Sequence, residues 1–225
     1  MNLVYNPIDA VMTLEETTVY AVVLESPLLM RQFIESLDAQ INFDKGPFVL
    51  SDGQKTVPLA KYLELIVNPF AVDVNQRKIL TKVHQELEKN AVREDMYQRT
   101  AEIRRHLHNY LQDLLMTVDY PLEYNFDFSL GKLLAPVGVQ FAMEDSLPGR
   151  VVQYIDLCSR LFSLKIFVVY QLSCIFSVEE MECFIRDMQY RKLSIILLES
   201  AAPDNIPFDK ILVVDNDLCI VRWEN

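Results

Sequence analysis

NQRKILTKVHQELEKNAVREDMYQRTAEIRRHLHNYLQDLLMTV, residues 75–118, is the stretch that decides the fold. It contains no glycine and no proline, the strongest local helix breakers, and it is dense in Leu, Glu, Lys, Arg and Gln. This composition predicts helix throughout. A single helix of this length would reach roughly 65 Å. A compact globule of this size is only roughly 45 Å across, so we expect the region either to project or to break.

The apolar positions of this region change sides halfway along it. In the first half, one stripe is formed by Ile79, Leu80, Val83, Leu87 and Ala91. In the second half, the apolar residues near the opposite side are Met96, Ile103, Leu107 and Leu114. We therefore predict a bend or break around residues 90–95, or burial of opposite faces at the two ends. The second half would then pack within its own domain or against a neighbouring subunit.

The first half also carries a basic face. Lys78, Lys82 and Lys89 lie nearly opposite its apolar stripe, together with Arg93. Like charges four residues apart cost a few tenths of a kcal/mol in an isolated helix, a cost that an anionic partner would offset. These residues leave two interpretations open, a solvated charged face or a surface that meets phosphates.

The net charge of the whole chain is −11, which argues against indiscriminate binding to nucleic acid. The charge is segregated along the sequence. Residues 75–118 carry eight Lys and Arg against six Asp and Glu, a net of +2 that leaves −13 for the rest. Because exposed charges are screened beyond about 8 Å at physiological salt, a basic surface can act locally on an acidic protein.

The sequence on both sides of this region predicts an α/β sheet. Near the N-terminus, the apolar strand 18–24 leads to a helix over 28–37 that Ser26 and Pro27 begin. Towards the C-terminus, helices and strands alternate, at 151–162, 165–170, 177–190 and 194–199, before two last strands at 211–214 and 218–223. The strands are continuous apolar runs, which indicates a sheet covered on both faces.

The intervening segments complete the predicted domain organisation. Residues 48–50 and 56–59 predict a hairpin, residues 60–67 a helix, and residues 128–135 a short helix that ends at Pro136. We therefore expect an α/β head domain made of residues 1–58 and 150–225. A helical leg domain, residues 59–149, is inserted into it.

A nucleotide-dependent enzyme is one functional alternative. The strand IILLE, residues 195–199, ends in Glu199 and resembles the strand whose acid holds magnesium in P-loop enzymes. However, no GxxxxGK[ST] motif occurs, and the segment after the first apolar strand reads ESPLLMRQ, without glycine. Neither the three histidines nor the four scattered cysteines form a catalytic or zinc motif. We therefore expect no catalytic residues.

The location of the protein is predicted from what the sequence lacks. No apolar run approaches the 18 or more residues that span a bilayer, and residues 1–10 (MNLVYNPIDA) have neither a basic nor an apolar signal region. We expect a cytoplasmic protein that does not bind membranes.

A short acidic and aromatic connection follows the helical region. Asp119, Glu123 and Asp127 are hard oxygen donors in an irregular segment, the type of ligand and setting that Ca²⁺ prefers. The spacing is not that of an EF-hand. A solvent-exposed acidic turn is therefore the competing interpretation.

Four segments, taken in order, carry a family resemblance. They are the opening MNL, IVNPFAVDVNQRKILTKVHQELE (66–88), PLEYNFD (121–127) and YIDLCSRLFSLKIFVVYQLSCIFSVEEMECFIRDMQYRKLSIILLES (154–200). Together they resemble the Csn-two family, the type II-A CRISPR-associated proteins of spacer acquisition. The resemblance extends over nearly the full chain, through short motifs that are not catalytic.

This resemblance implies a head that looks like a P-loop ATPase without its nucleotide site, and a helical leg. It also implies a non-enzymatic homotetrameric ring around double-stranded DNA that loads at free ends and is stabilised by bound Ca²⁺. The implied partners are the spacer integrase and the RNA-guided nuclease of the same CRISPR locus.

Two sets of residues are assigned on this basis. The calcium candidates are Asp119, Glu123 and Asp127. The DNA-binding candidates, chosen from charge and placement, are Lys55, Lys61, Lys78, Lys82 and Lys89. The alternatives to a DNA-binding ring are the nucleotide-dependent enzyme and a scaffold that binds only proteins.

Overall fold

A computed structural model describes residues 1–126, 130–202 and 206–224. The α-helices of this part of the chain are α1 (Pro27–Phe43), α2 (Arg77–Ala91), α3 (Glu94–Leu115), α4 (Leu130–Val137), α5 (Leu147–Phe162) and α6 (Val178–Tyr190). The strands are β1 (Asn2–Tyr5), β2 (Ala10–Thr13), β3 (Val19–Leu24), β4 (Phe48–Asp52), β5 (Lys55–Val57), β6 (Leu63–Ile66), β7 (Ile166–Tyr170), β8 (Ser194–Glu199), β9 (Lys210–Val214) and β10 (Ile220–Glu224). The fold is mixed α/β, in two units that are described separately below.

The first unit, Met1–Val74 with Met143–Asn225, is built on a six-stranded sheet in the order β10-β9-β3-β8-β7-β6. All neighbouring strands are parallel except β10, which runs antiparallel to β9. Every residue of β3 and β8 is buried, as continuous apolar runs predict. The expected strand-to-helix unit at the N-terminus therefore joins the same sheet as the C-terminal strands.

A smaller antiparallel sheet, in the order β2-β1-β4-β5, belongs to the same unit. Its inward residues share one core with α1 and with one face of the large sheet. At the centre of that core, the ring of Tyr5 stacks on Phe48 at 4.5 Å and meets Phe33 of α1 edge-on at 4.9 Å. The β4–β5 hairpin turns at Gly53, whose φ of 60° suits glycine.

Two further helices complete the first unit. Helix α6 contacts β8, and α5 contacts α6. Helix α6 begins with a capping box, in which the Ser177 hydroxyl accepts from the Glu180 amide and the Glu180 carboxylate accepts from the Ser177 amide. Ser146 caps α5 in a similar way through the Gly149 amide.

The helix predicted over residues 60–67 is wrong. A short 3-10 turn, Leu59–Lys61, leads instead to β6, which pairs with β7 at the edge of the large sheet. The run LELI is too short for its periodicity to separate strand from helix, and its pairing partner lies about 100 residues later in the chain. The chain passes from one unit to the other at residues 74/75 and 142/143, whereas the boundaries predicted from the sequence were 58/59 and 149/150.

The second unit, Asn75–Ala142, contains α2, α3 and α4. The long helical region breaks between Ala91 and Glu94, inside the predicted interval, so it forms two helices. At the break, the Thr100 hydroxyl donates to the Ala91 carbonyl at 2.8 Å, which satisfies one acceptor at the end of α2. None of the 22 residues of α3 is buried.

Helix α4 packs on α2 and differs from the predicted helix over 128–135. It continues through Pro136, which has no N–H to donate to the carbonyl four residues earlier, and it ends one residue later. Gly138, with a φ of 78°, ends the helix, and the Val139 amide returns to the Leu134 carbonyl. Residues 127–129 lie outside the part of the chain that the structure describes.

Candidate nucleic-acid interface

The basic face of α2 carries three of the five DNA-binding candidates. Lys78, Lys82 and Lys89 are all exposed, whereas Ile79 on the opposite side is fully buried. The helix therefore has the predicted amphipathic character. At the standard rise of an α-helix, the first and last of these lysines are roughly 16 Å apart along the axis. Three ammonium groups on one helix face over this distance can contact several phosphates of a single duplex.

Two sets of hydrogen bonds hold α2 within its unit. The Asn75 amide group donates to the Phe141 carbonyl at 3.1 Å and accepts from the Phe141 amide at 2.8 Å. Further along, Nε2 of His84 lies 3.0 Å from the Val139 carbonyl oxygen, so this nitrogen must carry the proton. These bonds attach α2 to the segment that follows α4 and fix the rotation of its lysine face.

The other two DNA-binding candidates belong to the first unit. Lys55 begins β5, at one edge of the small sheet, and Lys61 ends the 3-10 turn before β6. Both side chains are exposed. These two lysines are six residues apart in the chain and belong to a different unit from the lysines of α2.

The acidic segment after α3 has no regular secondary structure. Asp119 and Glu123 are exposed, and Asp127, the third calcium candidate, lies outside the described residues. The segment is held by an aromatic contact, in which Tyr124 and Phe126 pack against His108 with ring centroids 5.8 and 5.0 Å away. The Tyr124 hydroxyl also lies 3.1 Å from Nδ1 of His108.

These contacts attach the acidic segment to α3, and among the described residues they bring no metal-binding group together. Over residues 1–126, 130–202 and 206–224, no group of three or more His, Cys, Asp and Glu side chains is placed to hold a metal ion. No local pattern predicts that His108 anchors this segment, because the contact joins residues 16 positions apart.

At the carboxyl end of β3, where a phosphate loop would lie, the chain turns directly into α1. The Ser26 hydroxyl accepts from the Leu29 amide at 3.5 Å, and Pro27 occupies the first helical position. A serine cap and a proline leave fewer free N–H groups at this helix end than a glycine-rich phosphate cradle does. The exposed Glu25 side chain adds negative charge beside it.

Glu199, the residue behind the nucleotide-enzyme alternative, ends β8 with only 1% of its surface exposed. Its carboxylate accepts from the Ser173 amide at 3.1 Å and from the Ser173 hydroxyl at 2.6 Å. Burial raises the pKa of this carboxyl above its ordinary value, and the bonds from Ser173 oppose that rise. The carboxylate is thus engaged inside the protein, beside a cavity of about 200 Å³. No sequence signal pointed to Ser173, 26 residues earlier.

The helices carry no signal for membrane insertion. In the described part of the chain, none of them combines the length and the apolar character needed to cross a bilayer.

Two solved structures resemble this chain in fold at low sequence identity. Stu0660 of Streptococcus thermophilus, known from a crystal structure, matches with a TM-score of 0.63 and 16% identity, over 96% of this chain and 75% of that chain. CbiO1 of Clostridium perfringens, part of the ABC transporter complex cbiONQ, matches with a TM-score of 0.46 and 14% identity, over 91% of this chain and 76% of that chain. No curated protein matches the sequence.

A family model described as CRISPR-associated protein (Cas_Csn2) matches residues 40–218. This match contains the whole of three of the four segments that suggested the family, and it confirms that prediction. The similarity to Stu0660 shows a shared fold at low identity. Since the family model spans well over half of the sequence, the chain belongs to the CRISPR-associated Cas_Csn2 family.

Proposed function

We propose that this protein is a non-enzymatic, double-stranded DNA-end binding protein of CRISPR spacer acquisition. It acts as a calcium-stabilised homotetrameric ring around the duplex. The observation that carries the proposal is the exposed three-lysine face of α2, in an acidic chain that belongs to a CRISPR-associated family. The protein works in the cytoplasm, with the spacer integrase and the RNA-guided nuclease of the same locus as partners.

A ring reconciles the basic face with the net charge of −11. Four copies of Lys78, Lys82 and Lys89, turned towards a central hole, would concentrate positive potential on the duplex. Lys55 and Lys61 would add to it. The acidic remainder of each subunit would face solvent, where exposed charges are screened within about 8 Å at physiological salt. Binding through phosphates would be independent of sequence and strongly dependent on salt.

Calcium fits this proposal through the acidic segment. Asp119 and Glu123 are both exposed and lie four residues apart in an irregular segment, and together they offer up to four carboxylate oxygens. Because Ca²⁺ takes six to eight oxygens, the remaining ligands would come from Asp127, main-chain carbonyls, water or a neighbouring subunit. Bound calcium would also relieve the repulsion between these carboxylates.

The proposal includes no nucleotide reaction, and two features of the α/β head support this. The serine cap and Pro27 occupy the place of a phosphate loop, and the carboxylate of Glu199 is buried against Ser173. An acid that holds magnesium must reach the metal and the nucleotide. In this proposal the head is P-loop-ATPase-like in architecture and serves assembly.

The test is retention of duplex DNA by the purified full-length protein in the presence of calcium. A relaxed circle, the same plasmid linearised, and the linear form with both ends blocked by biotin and streptavidin provide matched substrates. We expect retention of the open linear form, with little retention of the circle and the blocked form. Equal retention of all three would contradict loading at ends.

The same assay separates the alternatives. A scaffold that binds only proteins would retain none of the three substrates, even at low salt with calcium. A nucleotide-dependent enzyme would bind or turn over ATP and lose this activity in Glu199→Ala.

A further inference from the structure

Helix α3 presents an unusually regular apolar face. Its members are Met96, Thr100, Ile103, Leu107, Tyr110 and Leu114, which follow one another at intervals of four and three residues. Alternating intervals of this kind give a period of 3.5 residues, the pattern of a coiled-coil seam. We call this set the α3 seam. Four of its side chains are exposed, among them Ile103 by 56% and Tyr110 by 62%, and Thr100 and Leu107 are half-buried.

Of the side-chain contacts that the structure gives α3, one involves the seam residue Thr100 and the others lie beside the seam. At its beginning, the Thr100 hydroxyl reaches the end of α2. On its flank, His108 carries Tyr124 and Phe126, and at 100° per residue it lies about a quarter-turn from Leu107. No residue of α3 is buried in the described chain. A helix that is apolar along one stripe and buried nowhere requires a cover.

The charges beside the seam indicate which cover fits. Arg99 and Asp113 flank one side of it, and Arg104 flanks the other. In a parallel pair of α3 helices, Arg99 would face the partner's Arg104, and the two would repel. In an antiparallel pair, Arg99 faces the partner's Asp113, and the same attraction occurs twice because the contact is two-fold symmetric.

The apolar layers fit the antiparallel pair equally well. With the two-fold axis beside residue 105, Ile103 meets the partner's Leu107 at the centre. Thr100 then meets the partner's Tyr110, and Met96 meets the partner's Leu114. The central layer joins two branched side chains of equal size, and each of the other two layers joins a small or branched side chain to a longer one, which favours interdigitation.

We propose that the α3 seam is a self-association surface, on which α3 of a second copy of this chain packs antiparallel. The inference deepens the proposed ring, on which it rests, by assigning one of the contacts between its subunits. At 22 residues the helix is roughly 33 Å long, about three heptads, near the lower limit for a coiled coil that stands alone. The contact therefore suits an assembly that other contacts reinforce.

One feature weakens the contact. Arg104 lies near the two-fold axis and faces the partner's Arg104, a like-charged pair. Removing this charge should tighten the association. Glutamine is a good helix former and keeps the length of the side chain, so Arg104→Gln tests the surface without a risk to folding.

The experiment measures the mass of the full-length chain by light scattering over a range of concentrations. We expect Arg99→Asp and Asp113→Arg each to weaken self-association about tenfold, because two attractions become two repulsions. The double variant Arg99→Asp with Asp113→Arg should recover the wild-type mass, and Arg104→Gln should strengthen association. Arg105→Asp, on the outer side of α3, is the matched control and should leave the mass unchanged.

Circular dichroism of each variant verifies that α3 remains helical. Unchanged masses for both single variants, or a wild-type monomer at every concentration, would overturn the inference. A double variant that fails to recover would overturn the antiparallel arrangement. Failure of the proposed function is distinct, since masses that follow these variants, in a protein that retains no linear DNA, would leave the α3 contact standing and remove the DNA-binding ring.

Discussion

The carboxyl group of Glu199 is buried inside the protein and is hydrogen-bonded by Ser173. A carboxylate that is 1% exposed receives two hydrogen bonds from one serine, at the carboxyl end of the fully buried strand β8. The unfolded chain exposes the same carboxyl to water. Its ionisation in the folded protein is therefore less favourable, which is the meaning of its raised pKa.

The first prediction concerns the stability of Glu199→Gln as a function of pH. Because the pKa of Glu199 is raised in the folded state, the contribution of this carboxyl to stability is fully present below its unfolded pKa and is lost as pH rises through the folded pKa. The loss is about 1.4 kcal/mol for each unit by which the pKa is raised. Glutamine cannot ionise, so urea unfolding at a series of pH values should show the variant gaining on the wild type above that range. Glu182→Gln, an exposed change on α6, is the control, and parallel curves for wild type and Glu199→Gln would contradict the prediction.

The second prediction concerns Lys82, the middle lysine of the basic face of α2. If it contacts one phosphate, Lys82→Ala should weaken duplex binding to all sequences alike. It should also reduce the slope of log K against log salt by about 0.9 for each copy of the contact. Titrations of linear duplex at several salt concentrations measure this slope. Lys45→Ala, which removes an exposed lysine of the first unit, should leave it unchanged. An unchanged slope in Lys82→Ala would remove this residue from the interface.

At the scale of elements, the break between α2 and α3 was predictable and β6 was not. The phase of the apolar residues shifts around residues 90–95, and a shift of this kind can be read from the sequence alone. Strand β6 is four residues long, and it is specified by its pairing with β7, a contact between distant parts of the chain. The lysine face followed from helical periodicity, whereas the Glu199–Ser173 pair depended on tertiary contacts that no local pattern records.

The third prediction addresses the break itself. Thr100→Val keeps the shape and the branching of the side chain but removes the donor to the Ala91 carbonyl. We expect a loss of about 1 kcal/mol in the free energy of unfolding. Thr81→Val, an exposed change of the same type on α2, is the matched control, and both are measured by urea denaturation. Equal stabilities of the two variants would show that the hydrogen bond contributes nothing net.

At the scale of the whole molecule, the family and the mixed α/β class agree with the predictions from sequence, whereas the second sheet was not predicted. Assembly and metal binding stay predictions. The architecture followed from apolar runs and helix signals that each lie within one segment. Residues 59–74 belong to the first unit and not to the predicted helical leg, because residues 63–66 form a strand of the large sheet where a helix was predicted. Interfaces between copies are formed by surfaces that meet only after folding. Local sequence patterns therefore do not specify which surfaces pair.

The fourth prediction concerns calcium and assembly. Asp119→Asn with Glu123→Gln should raise the calcium concentration needed for the tetramer, because two charged ligands become neutral. Light scattering during a calcium titration, followed by addition of a chelator, measures this midpoint. Glu35→Gln with Glu182→Gln removes the same charge from exposed positions elsewhere and should leave the midpoint unchanged. A calcium midpoint that is the same in all three proteins would contradict the assignment of Asp119 and Glu123.

The pair of hydrogen bonds between Asn75 and Phe141 has a consequence for how this protein can change over time. The residues at which the chain enters and leaves the helical unit are hydrogen-bonded to each other. The unit is therefore an insertion in the connection between β6 and β7. Doubling the length of such a loop costs only about 0.6 kcal/mol in closure entropy. The length of the inserted unit can therefore differ between relatives, while the large sheet keeps its strand order.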